Sequence, residues 1–211
     1  MGLGLLDVFR PYLGDTIMKK YLVLGAALLA CAPAMAFAQD AEPVAAQDFD
    51  GIRLEARLGY ETPTISDDDD VYKIGSAASY GGEIGFDIKA GNKVVVGPYA
   101  TYEFSSVKLC DGGACLKEDG NLGVGGRIGF VASPKVLVYG KLGYARIKFS
   151  ASVGTASGSE SQGGVQGAIG VNVNFGKNAY GLLEINYGDY GDFYGVGLQR
   201  RQALGGVGVR F

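Results

Sequence analysis

The sequence contains no histidine and no tryptophan, only six prolines and three cysteines among 211 residues. It also has no apolar run long enough to cross a bilayer as a helix. The missing histidine removes the commonest general base, the commonest metal ligand and the usual activator of a serine or cysteine nucleophile. The serines of "GSES" therefore have no partner to activate them, and neither enzymatic activity nor a cofactor is expected. A formal charge of −3 leaves no basic footprint for nucleic acid. Glycine clusters such as "GNLGVGGRIG" lack the strand–turn–helix setting that dinucleotide binding requires.

What is abundant is equally directive: 36 glycines and 13 tyrosines suggest many strands and turns. The front of the chain reads as targeting sequence. From Met18, two lysines precede an apolar run over Tyr21–Ala30, and Ala36-Phe37-Ala38 forms a small-x-small site before Gln39. The expected division is an upstream extension over 1–17, a secretory signal over 18–38 cleaved between Ala38 and Gln39, and a short periplasmic segment over 39–48. A lipoprotein-type site ending at Cys31 is a weaker alternative, because Leu29 fits that pattern poorly.

From residue 49 to 211 the chain shows eight runs of period-two alternation, near 50–60, 79–89, 94–104, 121–131, 136–148, 164–175, 179–188 and 197–211. Each is about 10 to 15 residues, the length of a tilted strand crossing a bilayer. The connections alternate between tiny turns ("AGNK", "SPK", "GKN") and long polar loops. The pattern predicts an all-β fold: an eight-stranded antiparallel up-and-down transmembrane β-barrel. Placing the short turns in the periplasm puts Tyr60, Tyr80, Tyr102, Phe104, Tyr144 and Tyr187 at the upper ends of the apolar register. Phe86, Phe130, Phe175 and Phe211 then fall at the lower ends. Aromatic rings favour membrane–water interfaces, so these read as two aromatic belts. Between them Leu54, Leu58, Ile84, Ile128, Leu142, Ile169 and Leu183 are among the residues expected to face lipid.

The opposite register carries Arg53, Glu55, Arg57, Glu83, Asp87, Glu103, Arg127, Lys141 and Glu184. Eight strands enclose a lumen just wide enough to be filled by side chains. Nearly balanced charge there predicts a cross-lumen ion-pair and water network that plugs the barrel, since buried charge is tolerated when paired. Two alternatives use the same residues differently. A narrow passive diffusion porin would have them line an ion path, and a soluble lipocalin-like barrel would point the apolar register inward.

Cys110 and Cys115 lie in the second long loop of an exported chain, where a structural disulfide is the expected state. No further ligands accompany them for a metal site, and a redox pair has shorter spacing. The acidic run Asp67–Asp70 in the first loop reads as a solvated loop, with cation bridging to lipopolysaccharide as the alternative. Its spacing does not match an EF-hand. The third loop, "SASVGTASGSESQGG", is low in complexity and is expected to be flexible.

The stretches "VYGKLGYARIKF", "LLEINYGDYG" and the terminal "GGVGVRF", with the signal peptide and eight strands, resemble the porin-family, opacity-like outer-membrane proteins related to the OmpA barrel. The resemblance covers about 39–211. It implies a Gram-negative outer-membrane location, a structural and surface-exposed role, and adhesion to a host or surface ligand through extracellular loops. It further implies that Ala203, Gly205, Val207, Val209 and Phe211 form the signal read by the barrel-assembly machinery. Outer-membrane lipid and lipopolysaccharide are the remaining implied partners, and a monomer is expected. The peptidoglycan-binding domain of longer relatives is not expected.

Overall fold

A computed structural model describes residues 49–67, 70–73, 75–111, 113–153, 156–193 and 196–211. The expected extension, signal peptide with its Ala38/Gln39 site, and periplasmic segment lie outside the described residues. So do Asp68 and Asp69 of the acidic run.

Among the described residues ten strands follow one another: β1 (Gly51–Asp67), β2 (Asp70–Lys73), β3 (Ala77–Lys89), β4 (Val94–Ser105), β5 (Lys108–Asp111), β6 (Ala114–Ser133), β7 (Val136–Val153), β8 (Ala156–Asn174), β9 (Ala179–Phe193) and β10 (Val196–Arg210). Eight are staves, each antiparallel to its neighbours in the order β1–β3–β4–β6–β7–β8–β9–β10. The first and last staves then pair with each other from Arg53↔Arg210 to Ser66↔Gly197. This closure removes the open sheet edges and gives an eight-stranded antiparallel barrel. The two short strands belong to hairpins at the long-loop end, β2 on β1 and β5 on β6.

Alternation sorts the side chains into two surfaces. Leu58, Leu142, Ile169 and Leu183 are each about two-thirds exposed on the outside, while their strand neighbours are buried within. Outward aromatics gather at both ends. Tyr80 stacks on Phe104, and Phe104 meets Tyr102 edge-on, at centroid distances of 5.5 and 4.9 Å. At the other end Phe86, Phe130, Phe175 and Phe211 are likewise exposed.

The staves extend beyond the expected runs at the long-loop end. Strand β6 begins at Ala114 rather than near 121, β7 continues to Val153, and β8 starts at Ala156 rather than near 164. The third loop, expected to be flexible, is a hairpin whose β7–β8 ladder runs unbroken to Val153↔Ala156. Along Ala156–Ser161 both strand faces meet water, so the backbone ladder persists there without an apolar period to announce it.

Candidate functional site

The inside of the barrel is stratified. At the short-turn end Phe49, Val95, Val131 and Leu137 form an apolar layer, each no more than 1% exposed. At the long-loop end Val107, Ala145, Ile147, Phe149, Tyr190 and Leu198 form a second one. Charged and amide side chains fill the space between.

All nine singled-out charges lie within this polar layer, buried. Arg53 donates from Nη1 to Glu55 at 2.6 Å and to Glu83 at 3.1 Å, with its Nε 2.9 Å from Asp87. Asp87 also lies 3.0 Å from Arg127 and 3.5 Å from Arg210. At mid-height four groups form a closed ring of alternating charge. Arg57 meets Glu83 at 2.7 Å and also pairs with Glu184, while Lys141 Nζ lies 2.7 Å from both of these glutamates. Because β1 and β7 are opposite staves, this ring spans the lumen.

Four further buried charges belong to the same layer: Glu61, Glu118, Arg200 and Arg210. Arg200 sits among Glu61, Glu103 at 3.0 Å and Glu118 at 3.7 Å. Arg57 and Glu103, 3.7 Å apart, join this upper cluster to the ring. Glu61 continues the inward parity of Arg53, Glu55 and Arg57 on β1, and Arg200 and Arg210 take the inward parity of β10, opposite to outward Ala203, Val207, Val209 and Phe211. Glu118 breaks the parity of β6, because the β6–β7 register shifts between Glu118 and Gly120 and brings an even-numbered side chain inward. It stands on the part of β6 that rises above the upper belt, where burial pushes its carboxyl up to about 8 despite nearby Arg200, with Glu61 and Glu103 adding to the rise.

Tyrosines complete the network. Tyr139 donates to Glu184 and Tyr180 to Glu55, both at 2.8 Å. The guanidinium of Arg127 lies 3.9 Å over the Tyr139 ring, and Arg210 lies 4.9 Å over Tyr180. These rings lie flat against backbone: a Cβ at Gly170 would strike Tyr139, and one at Gly208 would strike Tyr180. Glycine is required there by close approach.

Elsewhere, Cys110 and Cys115 are joined in a disulfide across the β5–β6 hairpin, where they are directly opposed. The terminal strand places Ala203, Val207, Val209 and Phe211 outward, with Gly205 in the same register. No cluster among the described residues has the makings of a metal site.

An apolar exterior between two aromatic belts, around a charged interior, inverts the pattern of a soluble ligand-binding barrel and is what a bilayer demands. The family described as "Outer membrane protein beta-barrel domain" matches residues 24–211. The chain belongs to that outer-membrane β-barrel family. It is accordingly an outer-membrane protein, and its short turns correspond to the periplasmic side. No curated protein matches the chain in sequence. Among solved structures it is similar to Ail, the attachment invasion locus protein of Yersinia pestis, at 17% identity and TM-score 0.52, over 77% of this chain and 99% of that one. Ail in complex with the heparin analogue sucrose octasulfate gives 17% identity and TM-score 0.55, over 76% and 99%. Neisserial surface protein A gives 15% identity and TM-score 0.55, over 75% and 97%. At these identities the likeness is one of fold.

Proposed function

We propose that this outer-membrane barrel is non-conducting and non-enzymatic, with a structural role in the membrane and a surface role at its extracellular end. The observation that carries the reading is the Arg57–Glu83–Lys141–Glu184 ring spanning the lumen between two apolar layers. An ion entering would have to displace paired, buried charges, and disrupting a buried pair costs about 3–5 kcal/mol. Contact with a host or surface ligand belongs to the extracellular strand extensions. The structure of Ail with a heparin analogue supplies a precedent for a small barrel holding an anionic ligand.

Single-channel recording of the refolded protein in a planar bilayer tests the plug. The unaltered chain is expected to be silent while demonstrably folded by its gel mobility, and Arg57→Ala and Glu103→Ala are expected to admit ions. Steady openings from the unaltered chain, altered in size or selectivity by these substitutions, would instead establish a narrow diffusion porin.

A further inference from the structure

The one disulfide among the described residues stands at the extracellular end, and its surroundings are cationic. Cys110 is exposed and Cys115 half-buried. They are directly opposed across the β5–β6 hairpin, and the next pair along the same face is Lys108↔Lys117, both exposed. Strand alternation therefore gives each sulfur an ammonium on its own strand and its own side, two residues away. On β7, Ser150 pairs with Lys117, and exposed Lys148 follows on that face. Asp119, 3.6 Å from Lys117, offsets part of this charge, but an exposed pair is weakened by water.

Little else holds the hairpin closed. Strand β5 pairs only with β6 among the described residues, over Lys108–Asp111. Lys108 and Lys117 are like charges in opposed positions, and they repel. A ring closed by so few residues also gains less from loop entropy than a long one. The bridge is thus a clasp on a hairpin that its own charges push apart, and its Cys110 side is open to solutes.

We propose that the Cys110–Cys115 bridge is a site of thiol–disulfide exchange, which captures small anionic thiols from outside the cell as mixed disulfides and releases the hairpin as it does so. The proposal rests on the outer-membrane placement, but not on the lumen being plugged. The incoming thiolate, its proton already lost to water, attacks Cys110 Sγ, the exposed sulfur. A new sulfur–sulfur bond forms there, the Cys110–Cys115 bond breaks, and its electron pair leaves on Cys115 Sγ. One disulfide replaces another, so no separate oxidant is consumed. Lys117 stabilises the departing thiolate, and a stabilised leaving group departs faster. Charge selects the ligand: every attacker is an anion at sulfur, and one that carries a further acidic group is drawn most strongly to the lysines. A catalytic dithiol has shorter spacing, but here the attack comes from the incoming molecule.

The test uses the protein folded in phosphatidylcholine vesicles at low salt. Mercaptoethanesulfonate, mercaptoethanol and cysteamine, which bear a negative charge, none and a positive charge besides the thiol, are added at matched thiolate concentration. Reactions are quenched early with iodoacetamide and read by mass. Each rate is divided by that of the Lys108→Gln, Lys117→Gln variant, which cancels the thiols' differing nucleophilicity. The ratio is expected to be about tenfold for the sulfonate, about threefold for the neutral thiol and about one for cysteamine, with salt compressing the series. Iodoacetamide should label Cys115, and residues 106–117 should become open to protease while gel mobility stays that of the folded barrel. Lys108→Arg with Lys117→Arg should keep the series, as should Lys89→Gln with Lys93→Gln, which removes the same charge at the periplasmic end. Equal ratios for the three thiols would overturn the proposal. So would iodoacetamide labelling chiefly on Cys110, or a folded protein that forms no mixed disulfide under conditions that open a peptide disulfide.

Discussion

Lys141 reaches two carboxylates with a single ammonium, 2.7 Å from Glu83 and 2.7 Å from Glu184. Removing it leaves Glu184 with Arg57 as its one cation partner and Glu83 with Arg57 and Arg53, all of them buried. Lys141→Met is therefore expected to destabilise the barrel by about 3–5 kcal/mol in urea unfolding from lipid vesicles. Adding Glu184→Gln to it should restore part of the loss, because the orphaned charge goes with it. Glu118 makes a different demand. Its carboxyl is held up near 8 by burial, so between the ordinary carboxylate range and pH 8 the folded chain keeps a proton there that the unfolded chain has released. Stability from this group is thus greatest below the ordinary carboxylate range and declines as pH rises toward 8. Urea unfolding across pH 5 to 9 should show Glu118→Gln losing less stability with rising pH than the unaltered chain. Arg200, Glu61 and Glu103 are the charges facing this carboxyl, so their substitution should move the same window.

Hairpins at the extracellular end are where local covalent chemistry meets the ladder. The disulfide joins opposed residues of β5 and β6, closing a small ring whose entropic contribution is about 2 kcal/mol. Only β5 and the start of β6 depend on it directly. Replacing both cysteines by serine is expected to leave the barrel's gel mobility unchanged while exposing residues 106–117 to protease, cleavage being read by mass. This end also marks how far the sequence could be read. The eight staves were legible between the belts, where lipid on one side and packed charge on the other force alternation on every residue. Ala156–Ser161, with water on both faces, carries no such signal, and the β7–β8 extension was hidden there. Within the site, Glu61 and Arg200 follow the readable parity into polar flanks. Glu118 lies beyond a bulge that only the paired strand reveals, and the tyrosines of the lumen were indistinguishable by type from those of the belt.

At the scale of the whole molecule, closure and the polar layer depend on each other. The β10–β1 ladder holds Arg200 against Glu61, and the ring at mid-height ties β1, β3, β7 and β9 together. No stave that carries lumenal charge can leave without stranding charge on the rest, and β8 is laddered to two such staves, so the barrel should melt as one unit. With no tryptophan and 13 tyrosines, near-ultraviolet tyrosine dichroism reports on packing within the lumen. Its loss on heating is expected to coincide with the gel-mobility shift, and an earlier loss of either signal would reveal a separable part.

The partners in the lumen are far apart along the chain: Arg57 and Glu184 are 127 residues apart, and Glu61 and Arg200 are 139. A chain entering lipid one hairpin at a time would bring Glu61 into a hydrocarbon setting long before Arg200 arrived, and would leave the ring around Arg57 and Glu83 open until Lys141 and Glu184 joined it. The wiring therefore sets a timetable, in which the early strands stay wet or templated until β9 and β10 have been delivered. The last strand acts as the licence for the first to leave water.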